Sequence, residues 1–218
     1  MSLFITATGT NVGKTMVSAL LMAKYGNIKK LNYWKPVQTG MDIDALKVAS
    51  LSGHDPGKFV ETVYHLGLPA SPHYAASVEN VQIETEKIQE KFNSTGGNLI
   101  VEGAGGLYVP LNDNDFMIDL VRMLDIPALL VVPSVLGTIN HSILSIKALQ
   151  SYGIALAGFF VYGPDNSLRE SNIMAVENFT GADCLGFCEV PDGIAVPEKF
   201  IPFARNSFDN DSRIGSLL

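Results

Sequence analysis

Six short apolar runs, separated by segments with helical periodicity, restrict the fold of this chain more than any other feature. Each run is nearly continuous in hydrophobicity, which is typical of strands covered on both faces. Strand-helix alternation predicts an α/β fold, with a mostly parallel sheet and helices on both of its faces. The predicted strands are 2–7, 31–36, 98–103, 127–133, 156–163 and 184–191, and the predicted helices are 14–25, 42–53, 83–93, 115–125, 138–153 and 167–181.

The length and composition suit one domain with a sizeable core. The chain has 218 residues, of which 47% are hydrophobic and 17% charged, and it contains no internal repeat or low-complexity linker. We therefore expect residues 1–218 to form a single domain. No apolar run reaches the roughly 18 to 20 residues of a membrane span, and no basic segment precedes an apolar stretch at the N-terminus. We expect a cytoplasmic protein that does not bind membranes.

The charge and the cysteines exclude two kinds of site. A net charge of −7 without a basic cluster argues against a nucleic-acid surface. It leaves small anionic ligands open, because local amides and lysines can oppose the overall charge. Cys184 and Cys188 are the only cysteines, and two thiols cannot complete a zinc site alone. We expect both to be ordinary buried thiols.

The stretch "TATGTNVGKT" (6–15) lies between the first predicted strand and the first predicted helix. The usual phosphate-binding loop, G-x-x-x-x-G-K-[ST], would place a glycine where Thr8 stands. Gly13, Lys14 and Thr15 keep the second half of that motif. Backbone N–H groups at a helix N-terminus bind phosphate oxygens, a lysine there reaches the terminal phosphates, and a hydroxyl ligates Mg²⁺. The loop predicts a nucleotide site, with a simple capped turn as the alternative.

The stretch "WKPVQTG" (34–40) closes the second predicted strand. Pro36 biases Lys35 toward an extended backbone, which would project the ammonium group toward the phosphates. A charged residue flanking a strand and solvated by water is the alternative interpretation. Thr39 and Gly40 are expected in a turn.

The stretch "VEGAGG" (101–106) places Glu102 directly after an apolar strand. A carboxylate is costly to bury unless it meets a cation, and a Mg²⁺ ion shared with Thr15 and Asp44 would supply one. The glycines would let the backbone approach a ligand closely. An exposed glutamate in a tight turn is the alternative for Glu102, and a helix N-terminal carboxylate is the alternative for Asp44.

The stretch "SVLGTINHSIL" (134–144) contains Leu136 and Gly137 just before a predicted helix that begins near Thr138. This second free helix N-terminus could bind an anion such as a substrate carboxylate. An ordinary capped helix explains the spacing equally well.

Taken together, these stretches resemble the dethiobiotin synthetases, the ATP-dependent enzymes of biotin synthesis. The family's loop, G-T-[DN]-T-x-V-G-K-T, is one residue longer than the common motif, and 7–15 keeps that length with Ala7, Thr8 and Gly9 as departures. The matches run in family order across roughly positions 3 to 145. The other matching stretches are "KPVxTG" at 35–40, "DA" at 44–45, "SPH" at 71–73, "VEGAGG" at 101–106 and "LGxxNH" at 136–141.

The resemblance implies a reaction and a set of residues. 7,8-Diaminopelargonic acid would take up CO2 as a carbamate, the carbamate would attack the γ-phosphate of ATP, and the second amine would close the ureido ring. Mg²⁺ is the implied cofactor, ATP the co-substrate and a homodimer the implied assembly. The implied residues are Lys14 and Lys35 for catalysis; Thr15, Asp44 and Glu102 for the metal; Asn11, Val12, Gly13, Lys14, Thr15, Met16, Asp44, Glu102, Gly103, Ala104, Gly105, Tyr162, Gly163, Pro191 and Asp192 for the nucleotide; and Thr10, Thr39, Pro72, Gly106, Leu136, Gly137, Thr138, Ile139 and Asn140 for the substrate.

The sequence departs from the family where many members carry an asparagine that reads adenine. The register places Tyr162 or Gly163 there, with Asn166 a few residues later, so base selectivity stays open. Three alternatives are a regulatory or partitioning ATPase, an amidoligase that activates a carboxylate with ATP, and a nucleotide-binding module without turnover. A regulatory or partitioning ATPase usually has an extra lysine early in its loop, which 7–13 lacks, and an amidoligase usually adds a glutaminase domain with a nucleophilic cysteine.

Overall fold

The computed structural model describes residues 1–218 and contains two sheets, both entirely parallel. The main sheet has six strands in the order β2-β5-β1-β6-β7-β8, and β3 and β4 pair separately. The predicted α/β class with a mostly parallel sheet is confirmed. The strands are β1 Leu3–Ala7, β2 Leu31–Trp34, β3 Val37–Thr39, β4 Tyr64–Leu66, β5 Asn98–Glu102, β6 Ala128–Pro133, β7 Leu156–Tyr162 and β8 Cys184–Cys188.

Eight α-helices connect and cover the strands. Short 3-10 turns occur at Pro56–Lys58 and Gly215–Leu217. None of the helices is both long and apolar enough to cross a membrane. The helices are α1 Lys14–Tyr25, α2 Asp44–Ser52, α3 Pro72–Val78, α4 Thr85–Thr95, α5 Met117–Leu124, α6 Thr138–Ser151, α7 Arg169–Thr180 and α8 Pro197–Ser207.

The main sheet is buried on both faces, which explains why its strands are continuously apolar. Alternate residues of β1 point to opposite sides: Ile5 belongs to a core with α1, α2 and α8, whereas Phe4 belongs to a core with α3, α4, α5 and α6. A third cluster packs α6 and α7 against β6 and β7. All five residues of β1 are buried, so this strand forms the centre of the molecule.

The structure corrects the sequence analysis at four elements. Strand β3 includes Thr39, which was expected in a turn, and it pairs with β4, which was not predicted. Three residues are too few for a periodic pattern to emerge. Helices α3 and α8 were also missed, and α8 contains Pro202, a residue that normally argues against a helix interior. Burial of Phe200 and Ala204 against the core compensates for that proline.

The strand order brings the important loops to one edge of the sheet. In the main sheet β1 lies between β5 and β6, so the chain crosses from one side of β1 to the other between these two strands. Ligands in open parallel sheets bind outside the carboxyl ends of the strands at such a crossover. The loop after β1 and the carboxylate at the end of β5 are therefore neighbours.

Both cysteines are predicted to be chemically inert in the folded protein. Cys184 and Cys188 are buried, and burial raises the pKa of both thiols, that of Cys188 to about 12. A thiol reacts through its thiolate, and a raised pKa leaves little thiolate near neutral pH. With 5,5′-dithiobis(2-nitrobenzoate) at pH 8, we expect no rapid reaction of the native protein and two reacting thiols in denaturant. A rapidly reacting thiol in the native protein would contradict this burial.

Candidate active site

The loop after β1 presents a row of free backbone amides. The N–H groups of residues 11–16 donate to no backbone carbonyl, and the first amide bonded within this turn is that of Val17, which donates to Gly13 O at 2.9 Å. Gly13 has a φ of 116°, in the left-handed region, and a Cβ there would lie 2.2 Å from Cδ1 of Tyr162. The position therefore requires glycine. Free amides at the start of α1 form a cradle suited to an anion.

Lys14 folds back over this loop. Its Nζ donates to Gly9 O at 3.0 Å and to Gly105 O at 2.8 Å, so it joins the loop after β1 to the loop after β5. Burial lowers the pKa of Lys14 to about 8, although the negative charge of Glu102 acts in the opposite direction. The ammonium group is thus held on neutral carbonyls beside the amide cradle.

Two carboxylates converge on Thr15. Its Oγ1 lies 2.9 Å from Oδ1 of Asp44, the first residue of α2, and 2.8 Å from Oε1 of Glu102. Lys35 Nζ contacts Oδ2 of Asp44 and lies 3.2 Å from Oε1 of Glu102. Glu102 is fully buried and Lys35 nearly so. An exposed glutamate and a solvated strand-flanking lysine are therefore both wrong interpretations.

The two carboxylates already pair with one positive charge, the ammonium group of Lys35. Burial alone would lower the pKa of Lys35, but the charges of Glu102 and Asp44 outweigh burial and raise it. The same two carboxylates, with the Thr15 hydroxyl, provide the hard oxygen ligands that Mg²⁺ prefers. The residues present therefore fit a magnesium ion.

Two further residues contact Glu102 and were not identified from the sequence. Ser18 Oγ and the Tyr33 hydroxyl donate to Oε2 of Glu102 at 2.8 and 3.0 Å, and both side chains are fully buried. Burial, followed by the charge of Glu102, raises the pKa of Tyr33 well above its usual value. Ser18 lies three residues after Thr15 and therefore on the same face of α1, so the sequence spacing could have identified it as a neighbour of the site. Tyr33 reaches Glu102 from the adjacent strand β2, and no local pattern indicated this contact.

An open cleft of about 1170 Å³ unites much of the predicted site. Additional lining residues that the sequence analysis did not propose include Gln38, Lys47 and Val109. Gln38 accepts from the Asp44 backbone N–H at 3.2 Å and so helps to fix the start of α2. The predicted residues that line this cleft are Thr10, Asn11, Gly13, Lys14, Thr15, Met16, Lys35, Thr39, Asp44, Pro72, Glu102, Ala104, Gly105 and Tyr162.

The remaining predicted residues lie outside the lining of this cleft. Gly106 packs against the first loop, since a Cβ there would lie 3.3 Å from Gly9 Cα. Val12 packs partly against the core, and Gly103 N donates to Ile5 O at 3.0 Å. The others are Leu136, Gly137, Thr138, Ile139, Asn140, Gly163, Pro191 and Asp192.

The start of α6 forms a second helix N-terminus, as predicted. Gly137 has a φ of 91° and supplies no side-chain cap, and Leu136 before it is 96% exposed. Thr138 N donates to Val135 O at 3.2 Å, whereas the N–H groups of Ile139 and Asn140 donate to no backbone carbonyl. Two amides are therefore available to an anion at this point.

At the end of β7 the structure has the aromatic ring of Tyr162 in place of a side-chain amide. Tyr162 packs against Gly13. The side-chain amide of Asn166 is already engaged, because it donates to Oγ and O of Ser134 at 2.8 and 3.1 Å. Gly163 N donates to Cys188 O, and the loop after β8 that contains Pro191 and Asp192 is exposed at both residues.

Comparison with solved structures supports the fold. The chain resembles a ParA family ATPase from Chlorobium tepidum, with a TM-score of 0.58, 11% identity and coverage of 93% of this chain and 96% of that one. It also resembles the septum site-determining protein MinD from Pyrococcus horikoshii, solved with Mg-ADP, with a TM-score of 0.57, 16% identity and coverage of 94% and 95%. These low identities establish the architecture of P-loop nucleotide-binding proteins alone.

Comparison of sequences is more specific. The family model described as an AAA domain matches residues 1–196. An ATP-dependent dethiobiotin synthetase from Leptospira interrogans is 39% identical over the full length of both chains. A second, from Rhodopseudomonas palustris, is 40% identical over 79% of this chain and 80% of its own. With this identity and coverage, and with the phosphate loop and paired carboxylates in place, the chain belongs to the family of ATP-dependent dethiobiotin synthetases.

Proposed function

We propose that the chain closes the ureido ring of dethiobiotin from 7,8-diaminopelargonic acid and CO2, with conversion of ATP to ADP and phosphate. The observation that carries this proposal is the convergence of free loop amides, two lysines and two carboxylates on one cleft. The activity is assigned to residues 1–218 as a single domain that acts on small molecules in the cytoplasm.

The nucleotide phosphates would bind the amides of residues 11–16. Lys14 would exchange its two carbonyl acceptors for oxygens of the terminal phosphates, since charged acceptors make stronger hydrogen bonds. The loops after β5, β7 and β8, including Ala104, Tyr162 and Asp192, would contact the rest of the nucleotide. The packing of Tyr162 against Gly13 supports a position for Tyr162 beside the nucleotide.

The metal would be held by Thr15, Asp44 and Glu102. When bound, Mg²⁺ offsets negative charge on the phosphate oxygens and helps to orient them. Lys35, which pairs with the same carboxylates, would then turn its ammonium group toward the γ-phosphate and the carbamate. Positive charge at a transferring phosphoryl group is the main source of catalysis in such reactions.

The chemistry requires no nucleophilic side chain. One substrate amine adds to CO2 and loses a proton to give a carbamate, whose oxygen attacks the γ-phosphorus while the bond to ADP breaks. The second amine attacks the carbonyl carbon of the resulting carbamic-phosphoric anhydride, loses a proton and expels phosphate. Thr10, Thr39 and Pro72 would line the diamine pocket. The backbone of residues 138–140, where the N–H groups of Ile139 and Asn140 are free, would hold the tail carboxylate.

Phosphate release is expected to depend on the diamine. Purified protein with ATP, Mg²⁺ and bicarbonate should release phosphate only after 7,8-diaminopelargonic acid is added, in a 1:1 ratio to dethiobiotin. Mass spectrometry of the product and a coupled phosphate assay provide the two measurements. ATP hydrolysis at the same rate with and without the diamine would instead favour a regulatory or partitioning ATPase, a function that only the fold supports.

Replacement of Lys35 should affect both turnover and stability. Lys35→Ala is expected to reduce kcat by at least about 100-fold while nucleotide affinity changes little, because Lys35 acts at the transferring phosphoryl group. It also leaves the fully buried Glu102 without its cation, which should lower the free energy of unfolding, measured without added nucleotide or metal, by about 3 kcal/mol. Steady-state kinetics, nucleotide titration and urea denaturation measure these effects.

Lys87→Ala is the matched control. Lys87 also pairs with a glutamate, Glu84, at 2.7 Å, but its side chain is 57% exposed. Exposed ion pairs contribute little to stability, so this variant should retain both stability and activity. Unchanged turnover of Lys35→Ala would remove Lys35 from the mechanism.

We also infer that the protein is a homodimer. Two large apolar side chains beside α5 are exposed and lie together, Tyr108 at 55% and Phe116 at 40%, with their rings 5.8 Å apart. Exposed apolar patches of this kind often mark protein contacts. Light scattering after gel filtration should give twice the mass of one chain, and a monomer at micromolar concentration would refute the inference.

A further inference from the structure

The carboxylate of Glu102 has two oxygens in different surroundings. Oε1 faces Thr15 and Lys35, at the cation-binding side of the site. Oε2 accepts from Ser18 and Tyr33 instead, at 2.8 and 3.0 Å. The two oxygens therefore have different partners, although a carboxylate free to rotate would make them equivalent.

The two hydroxyl donors come from elements that cannot easily move. Ser18 lies in α1, three residues beyond Thr15, and is fully buried. Tyr33 lies in β2, paired with Ile100 of β5, and its ring packs against Phe59 with a centroid distance of 5.3 Å. Both donors are thus fixed by regular structure on either side of the carboxylate.

We propose that Tyr33 and Ser18 are positioning residues that hold Oε2 of Glu102 and so present Oε1 alone to the catalytic metal ion. This inference rests on the metal site of the proposed function. Without the two hydroxyls, the carboxylate can rotate, and Oε2 becomes a buried acceptor without a partner. Groups that orient a metal ligand commonly change metal affinity by about 10- to 100-fold when they are removed.

The chain contains a matched control for the loss of a tyrosine hydroxyl. Tyr25, on α1, is also buried and donates to a carboxylate, Oδ2 of Asp209, at 2.7 Å. Asp209 lies after α8, outside the lining of the cleft. Tyr25→Phe therefore removes the same chemical group and the same type of hydrogen bond without touching Glu102.

Mn²⁺ is the probe for this inference. Its binding to the whole protein in the presence of ADP can be followed by electron paramagnetic resonance, which reports metal affinity independently of turnover. The Mn²⁺ dissociation constant should rise about tenfold or more in Tyr33→Phe and in Ser18→Ala, and stay unchanged in Tyr25→Phe. In the synthetase assay, the Mg²⁺ concentration for half-maximal rate should rise in the first two variants, while KM for the diamine stays constant.

The double variant tests whether both hydroxyls act through one carboxylate. If they do, the effect of Tyr33→Phe with Ser18→Ala on Mn²⁺ affinity should differ from the sum of the single effects, as residues in one hydrogen-bonded network are coupled. A merely structural role would lower melting temperature in both tyrosine variants without separating their Mn²⁺ affinities.

The outcomes distinguish this inference from the proposed function. If the wild-type protein binds no Mn²⁺ with ADP, the proposed metal site is wrong and the positioning role is wrong with it. If the wild type binds Mn²⁺ and makes dethiobiotin, but Tyr33→Phe and Ser18→Ala bind Mn²⁺ equally well, only the positioning role is refuted. If Tyr33→Phe fails to fold, the Mn²⁺ affinity of Ser18→Ala alone tests the positioning role.

Discussion

The buried carboxylate of Glu102 is the constraint on which the site depends. An ionised group removed from water costs several kcal/mol unless other charges and donors compensate. Elements β2, β5, α1 and α2 meet around it. Thr15, Ser18, Tyr33 and Lys35 supply the compensating groups, and Lys35 in turn contacts Asp44. The parallel sheet makes this convergence possible, since the carboxyl ends of β2 and β5 are neighbours and β1 adjoins β5. The fold therefore determines the local electrostatics.

Much of this arrangement follows from sequence, for identifiable reasons. The main-sheet strands are predictable because both faces are covered, which makes each strand continuously apolar. The residues of the phosphate loop, Lys35, Asp44 and Glu102 are predictable because each lies at or beside the end of a regular element at one edge of the sheet. That Lys35 would be buried between two carboxylates was not predicted, because this depends on the distance between separate loops.

Other features depend on tertiary contacts that leave little local signal. Tyr33 has the appearance of an ordinary apolar strand residue, and only the pairing of β2 with β5 brings its hydroxyl to Glu102. Helix α8 forms despite Pro202, since its apolar face is buried against the core. The two short strands β3 and β4 are held by each other, far apart in sequence, and periodicity over three residues cannot reveal them.

The contact between Lys35 and the two carboxylates has a consequence for any other cation that would bind there. On the proposed function, a divalent ion that binds without nucleotide would have to displace the ammonium group of Lys35, which pairs with no other anion. A metal bound to the triphosphate would supply phosphate oxygens as new partners for that ammonium group. On the proposed function, Lys35 is thus a built-in counter-ion, and any cation that binds both carboxylates must compete with its tethered ammonium group.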